Sequence, residues 1–538
     1  MRLLNTLKGC LILLVVMLLA SCKKQLEEKP YSFLSPENFY KNENDAKTAI
    51  NGVYSALYTY DLYLQPIWNM TVLDDDHVSG VDWFLGTTGA GNPQGYWGVD
   101  GPWVGFYSVI NRANTVLENV ALINTEIDPD VKTRILGEAH FLRGWSYFQL
   151  VQLYGAVPVR LKSLSADPNA NVPRSPVKDV YQEIINELKQ AETMLFPVGH
   201  AKAGDPGRAT RGLAKGMLAK VYLTMASGSL ASGTVTVRGG TDNGYYVHDK
   251  TVVAGLEGLD SKVYFGLARD KALEVINSGE YSLFTSWKNI WSKTSRNLQE
   301  HMWELQSLAG TAFVNNLSIY FSAVSTFGRG AVWFTNNHYM DYEDADKRVL
   351  DGVTHNWQIN TGAKYYYPSW QSSLYSVVNG VTYSNNGTTD NRAFTIKYAD
   401  VNDPTVANSD AFYPLMRYAE ILLIYAEAAN EANEAPTTEA YAMLNAVRSR
   451  ASATAAPASM TREQFRSYVL AERGREFVLE GIRRFDLMRW GIYQQVMNKI
   501  SAGQNNISKV RSLRNLLWPI PQSELNANQA ITANNPGW

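Results

Sequence analysis

The stretch from Arg417 to Gly491 restricts the fold of this chain more than any other. It reads RYAEILLIYAEAANEAN, then EAYAMLNAVRSRA, then LAERGREFVLEGIRRFDLMRWG. In the first segment Tyr418, Ile421, Leu422 and Tyr425 recur at i, i+3, i+4 and i+7, one apolar face of an α-helix. Ala419, Leu423 and Ala426 add a second apolar face, so the helix has to be covered on most sides. Glu420, Glu427 and Glu431 form its polar stripe. Glu427 and Glu431 stand at i,i+4 and repel unless cations face them. Arg448 and Arg450 of the second segment are the expected partners. A third helix is predicted from Thr461, with Gln464 completing a capping box, to Gly481. Three helices with short connections form an antiparallel packing unit. Charges of opposite sign interleave at helical spacing from Glu472 to Asp486, which predicts a structural ion network.

Upstream, helical periodicity recurs at about residues 44–58, 129–155, 177–188, 213–226 and 263–278. Asp128-Pro129 and Ser175-Pro176 mark two of the starts. Helices of this length in succession suggest a solenoid of helix–turn–helix units. The text nevertheless lacks the clean 34-residue period of a tetratricopeptide array. WELQ at 303–306 reads as a short strand, and 227–262 as a Gly/Ser/Thr-rich interruption. Residues 61–102 and 307–335 have no period and fill with Gly, Asn, Asp and aromatic residues. Segments of that length in a folded chain are functional or disordered, and their aromatic content argues against disorder.

The N-terminus is an address rather than part of the fold. Arg2 and Lys8 precede an unbroken apolar run from Leu11 to Leu19, too short to span a bilayer, which takes about 20 residues. Leu19-Ala20-Ser21-Cys22 resembles a bacterial lipobox, which makes residues 1–21 a signal peptide and Cys22 a lipid anchor. Residues 22–36 read as a lipidated spacer. Cys10 is lost with the signal, so the processed chain keeps one cysteine and no internal disulfide. The net charge of −2 becomes −4 once Arg2 and Lys8 are removed, which gives no electrostatic case for nucleic acid.

Motifs for chemistry are sparse. Asp74-Asp75-Asp76-His77 is the most metal-like cluster, but its spacing fits neither a zinc nor an EF-hand pattern, and a cap or turn is expected. No metal and no cofactor is expected. GTTGAGNPQG lacks the Lys-Ser/Thr ending of a phosphate loop. There is no GxSxG elbow and no HExxH. Glu420 and Glu427 share a helix face, roughly 10.5 Å apart along the axis, outside both carboxylate spacings that glycosidases use.

What stands out is 14 Trp and 31 Tyr, several of them in Gly- and Asn-rich text. Trp83, Tyr96 and Trp97 lie in one aperiodic segment, and Tyr320 and Trp333 in the other. An exposed ring offers a flat apolar face suited to the C–H face of a sugar, with hydrogen bonds around its rim. Each ring could equally anchor its own loop. Trp103, Trp145, Trp291, Trp303 and Trp490 fall in framework text and are expected in the core.

RYAEILLIYAEAANE, LNAVRSRA, ERGREFVLEGIRRFDLMRWG and LWPIPQSELNAN…NNPGW, in this order and spacing, resemble the SusD/RagB family of nutrient-binding surface lipoproteins. ILGEAHFLRGWSYFQLVQLYGAVPV resembles a further family block, with Gly144 where alanine is commoner. The resemblance implies a mainly α, tetratricopeptide-like helical-repeat scaffold with long irregular loops. Its N-terminal region would cover 37–262 and its C-terminal region 263–538. It also implies a non-catalytic protein, anchored in the outer membrane and facing the exterior, that binds oligosaccharide and passes it to a TonB-dependent, SusC-like transporter. Oligopeptide binding, as in RagB-like members, and a lipid-anchored glycoside hydrolase are the alternatives.

Overall fold

The computed structural model describes residues 39–538 apart from 325–329, 360, 369–376, 379–380, 383–386, 405 and 501–507. Cys22, the signal peptide and the spacer lie outside the described residues. Among the described residues, twelve helices have seven or more residues: α1 (Glu43–Ser55), α2 (Pro66–Val72), α3 (Gly101–Val120), α4 (Pro129–Tyr154), α5 (Val177–Met194), α6 (Arg211–Ser229), α7 (Ser261–Ser278), α8 (Tyr418–Ala432), α9 (Thr438–Arg450), α10 (Arg462–Glu476), α11 (Arg483–Arg489) and α12 (Tyr493–Ile500). Local sequence sets their ends. Asn42 and Asp45 form a capping box on α1. Asp128 accepts from the backbone N–H groups of Asp130 and Val131 ahead of α4, with Pro129 at the first helical position.

From α3 to α7 each helix packs on the next one along the chain, and α7 then packs on α8, which carries α9 and α10. The helical stack is therefore continuous although residues 279–417 intervene between α7 and α8. This is the tetratricopeptide-like arrangement, and the two long aperiodic segments are insertions outside the stack. Gly144 has a packing reason: a Cβ there would stand 2.9 Å from Cβ of Glu187 on α5, so glycine lets α4 and α5 close up. Trp103, Trp145, Trp291, Trp303 and Trp490 are all buried.

Two expectations for the Arg417–Gly491 stretch are corrected. Helix α10 stops at Glu476 rather than Gly481, because Leu479 (φ 65°) and Gly481 (φ 73°) turn the chain. That turn delivers Glu480 to Arg417 at 2.9 Å and Lys397 at 2.6 Å. Nor do Arg448 and Arg450 neutralise α8. Glu427 pairs with Arg489, and Glu431 with Arg466 at 2.6 Å and Arg462 at 2.8 Å. Arg448 reaches Glu472 instead (2.6 Å), and Arg450 reaches Glu476 (2.6 Å) and Glu300 (2.7 Å). The network itself is as expected: Glu472, Glu476, Glu480 and Asp486 each face a guanidinium or an ammonium.

Short strands tie the insertions to the stack. β1 (Val78–Gly80) pairs antiparallel with β5 (Val332–Phe334), joining the two aperiodic segments. β2 (Thr234–Gly239) and β3 (Gly244–Asp249) form a hairpin inside the stretch read as an interruption. β4 (His301–Leu305), at the WELQ position, pairs antiparallel with β6 (Tyr413–Arg417). No helix among the described residues is long and apolar enough to cross a membrane.

Candidate functional site

Two glycines decide where the first insertion places its rings. A Cβ at Gly101 would lie 2.6 Å from the carbonyl oxygen of Asp61, so glycine lets the start of α3 touch the backbone beside Tyr60. A Cβ at Gly98 would lie 2.7 Å from the ring of Tyr96, so glycine lets that ring fold back onto its own loop. As a result Tyr60 and Trp97 stack, with centroids 5.0 Å apart and planes 29° apart. They are 51% and 61% exposed. Tyr96 meets Trp97 at 5.1 Å but is itself covered, so the expectation of an exposed ring at position 96 is corrected: it backs Trp97. Burial, then the neighbouring phenols of Tyr60 and Tyr320, pushes its hydroxyl far above the usual tyrosine range.

The second insertion arrives through the β1–β5 ribbon. Past its end, Val81 N–H donates to the carbonyl of Ala331 (2.9 Å), and Ala331 N–H to the carbonyl of Tyr320 (2.7 Å). Gly330 makes this crossing possible, since a Cβ there would stand 2.2 Å from the carbonyl oxygen of Ser322. Tyr320, half-buried, therefore lies 6.3 Å from Trp83 in an edge-on arrangement and 5.4 Å from buried Trp68. Trp83 is 61% exposed.

The structure thus brings Trp83, Tyr96, Trp97 and Tyr320 into one neighbourhood and adds Tyr60. Trp333 does not join them. It sits in β5 opposite Ser79, is buried against Phe394 and lies under the guanidinium of Arg392, 5.3 Å from the ring centroid. Its expected role as an exposed platform is corrected: every residue of both strands of this short ribbon is buried, so neither face offers the indole a solvent side. Tyr60 was the omission. The signal was the run of Tyr58, Tyr60 and Tyr63 where helical periodicity fails.

The loop beneath the rings is pinned from below. Arg511 donates to the carbonyl of Gly89 (2.6 Å), Asn515 to that of Gly91 (2.7 Å), and the Thr88 hydroxyl to Asn69 Oδ1 (2.8 Å). Arg511 also pairs with Asp74 at 2.9 Å. The acidic cluster belongs to this footing. Asp75 caps a turn through the N–H groups of His77 and Val78, as expected, while Asp76 takes Arg483 in a two-pronged pair at 2.6 and 2.7 Å. Lys509 donates to the carbonyls of Leu73, Asp75 and Val78. Burial, with the Asp76 charge beside it, lifts Asp75 to about 7, and burial lowers Lys509 to about 8. Among the described residues no group of three His, Cys, Asp or Glu could hold a metal ion.

Glu420 and Glu427, the pair weighed for glycosidase chemistry, are fully buried, and each is held by basic side chains. The exposed chemistry of the insertions is aromatic instead: a stacked Tyr–Trp pair beside a Trp–Tyr edge pair, on a pinned loop.

The scaffold defines the class, a SusD-type helical-repeat protein. A SusD homologue of known structure from Bacteroides thetaiotaomicron superposes with TM-score 0.73 at 23% identity, covering 93% of this chain and 98% of that one. The chain belongs to the SusD/RagB family: the SusD family model matches residues 316–538, and the SusD-like model described as starch-binding associating with outer membrane matches 24–223. SusD-like protein P2 of Formosa agariphila is 25% identical over 98% of both chains. The starch-binding protein SusD of B. thetaiotaomicron is 34% identical over 129 residues, covering 23% of this chain and 21% of that protein.

Proposed function

We propose that this protein binds oligosaccharide at the outer-membrane surface without cleaving it and passes it to a TonB-dependent, SusC-like transporter. The observation that carries this reading is the Tyr60–Trp97 stack. Two aromatic faces, each more than half exposed, are held by glycine contacts and a pinned loop rather than left to collapse into the core. Trp83 and Tyr320 extend the apolar surface, and a sugar's C–H face docks on such a surface at little ordering cost because the rings are preorganised. The starch-binding relative and the outer-membrane description of one family model support the same ligand class and location. Cys22, at the end of the lipobox-like Leu19-Ala20-Ser21-Cys22, supplies the anchor.

The test is calorimetric titration with a panel of soluble glucans and other plant and algal oligosaccharides, run on the wild type and on Trp97→Ala and Tyr60→Ala. At least one glycan should bind, and both variants should lose affinity. Binding that survives both substitutions overturns the site, and release of reducing ends overturns the non-catalytic reading. Two companion experiments address location and partner. Cys22→Ala should move the protein from washed membranes to the soluble fraction, and mild-detergent purification of the native protein should recover a TonB-dependent barrel. Retention of the variant in membranes, or recovery of a lone monomer, counts against the respective claim.

A further inference from the structure

The β1–β5 ribbon has a second end. Opposite the rings, Thr335 N–H donates to the carbonyl of His77 (2.7 Å), and His77 stacks on His338 with centroids 3.8 Å apart. This stack forms one wall of a cavity of about 400 Å³ bounded on its other sides by the β2–β3 hairpin and α12. The volume lies within the range of small-molecule sites, about 300–1,000 Å³. His248 of β3 also lines it, so three of the chain's seven histidines meet here.

The wall is built for hydrogen bonding at low net charge. Burial holds His77, His248 and His338 below the ordinary imidazole range, so each ring is neutral at pH 7. Nε2 of His338 is engaged by the Tyr342 hydroxyl (3.1 Å) and Nε2 of His77 lies 3.4 Å from Asp76, which leaves each of these two rings its second nitrogen. Asn336 and Asn337 add amides, and Asn337 also braces the hairpin by donating to the carbonyl of Gly240 (2.9 Å). Both carboxylates on the wall are already paired: Asp76 with Arg483, and Asp341 with Arg475 (2.9 Å) and Arg238 (3.3 Å). Asp242, at the hairpin tip, accepts from the Tyr246 hydroxyl at 2.6 Å. Lys499 is different. Its ammonium lies 4.7 Å from the centroid of the Tyr246 ring; the Asp242 carboxylate at that tyrosine's hydroxyl feels its charge, but no direct ion pair to Lys499 forms among the described residues.

We infer that this cavity is a second ligand site, separate from the aromatic platform, that takes a single carboxylated sugar residue of the hexuronate class with its acid group toward Lys499. Imidazoles and amides match ring hydroxyls, which need donors and acceptors alternately. Lys499, the wall's cation without an ion-pair partner among the described residues, selects a monoanion. The choice of a sugar rests on the glycan-binding reading above; the cavity, the histidines and the lysine do not.

The test uses ¹⁵N-histidine-labelled protein titrated at neutral pH with glucuronate, galacturonate and the uncharged methyl glucoside. A hexuronate should shift the imidazole signals of His77, His248 and His338 saturably and leave His140, His200, His301 and His355 in place. Lys499→Gln, on the surface and away from the core, should weaken that response about tenfold, as expected for loss of one charge-assisted hydrogen bond. Trp97→Ala should not alter it. The inference is overturned if neither acid moves the three signals, if the methyl glucoside moves them equally, or if Lys499→Gln responds like the wild type. Failure of the platform reading is scored separately, by glycan titration of the Tyr60 and Trp97 variants, in which these signals take no part.

Discussion

Tyr60, just before the first long insertion, and Trp97, near that insertion's end, meet face to face, 5.0 Å between centroids, with more than half of each ring open to solvent. An apolar pair of this size is ordinarily driven into a core. Here the backbone contact between Gly101 and Asp61 fixes one ring, and covered Tyr96 backs the other. The pair stays on the surface because its supports are rigid.

Truncation separates this pair from the ring that the sequence grouped with it. Trp97→Ala and Tyr60→Ala should change unfolding free energy by no more than about 0.5 kcal/mol, as exposed sites do. Their effect should fall on glycan affinity, tenfold for about every 1.4 kcal/mol of binding free energy removed. Trp333→Ala should do the reverse, lowering stability by about 3–5 kcal/mol as a buried indole is removed. Thermal melts and titrations of the three variants side by side decide the matter. A Trp97 variant as unstable as the Trp333 variant would place both rings in the core.

Gly98 offers a test of preorganisation that leaves every ring in place. In Gly98→Ala the added methyl meets Cε1 of Tyr96 at 2.7 Å, and that ring is too enclosed to swing away freely. The expected result is a stability loss of about 1–3 kcal/mol from overpacking, together with weaker glycan binding although Trp97 is intact. Unchanged affinity would show that Tyr96 does not position Trp97.

The scaffold was legible because helical periodicity and caps are local signals. Asp128-Pro129, Thr461 with Gln464, and the apolar faces of α8 all act within a few residues of their own position. The site was legible only as a set of rings. Whether an indole in Gly-rich text faces solvent depends on partners far along the chain, such as Ser79 for Trp333 and Asp61 for the loop of Trp97. The ion network failed in its pairings for the same reason. Opposite charges at helical spacing foretell that salt bridges form. Which ones form depends on tertiary placement, as where the turn at Leu479 and Gly481 delivers Glu480 to Arg417 and Lys397.

Arg417 carries the densest part of that network. It donates to Glu300 (2.6 Å), Glu476 (2.9 Å) and Glu480 (2.9 and 3.0 Å), and its guanidinium lies 4.8 Å from the centroid of the Phe477 ring. Arg417→Ala leaves buried carboxylates short of a cation and should lower stability by about 3–5 kcal/mol. Arg417→Lys should recover only part of this, since one ammonium cannot reproduce the planar fork. Denaturant titration measures both, and an alanine variant within about 1 kcal/mol of wild type, against the roughly 3–5 kcal/mol expected, would remove the network from the account of stability.

Acid should unfold the protein in two stages. Burial holds the imidazoles of His77, His248, His338 and His355 below their ordinary value of 6.5. As pH falls through about 6.5 the unfolded chain therefore takes up protons that the folded chain does not, and stability drops. Asp75, lifted to about 7, works in the opposite direction over the same range, one proton against four. Burial alone would raise Glu420 and Glu472, but their cationic neighbours outweigh it and hold both below 4.5, so their stabilisation is lost as pH falls below that value. Calorimetric melts across the acid range should show Tm declining from about pH 6.5 and more steeply below about pH 4.5. His338→Gln should flatten the first stage. A Tm that stays level down to about pH 5 would contradict the neutral state of these imidazoles.

The clamp formed by Lys509, Arg511 and Asn515 has a consequence for biosynthesis. The footing of the aromatic loop is supplied more than four hundred residues after the loop itself. A chain that stops short of Lys509 carries every ring of the platform but lacks the clasp that holds their loop in shape. The proposed platform is therefore completed late, once translation reaches the residues that close the clasp, and on that reading a product interrupted before Lys509 carries the rings without their footing.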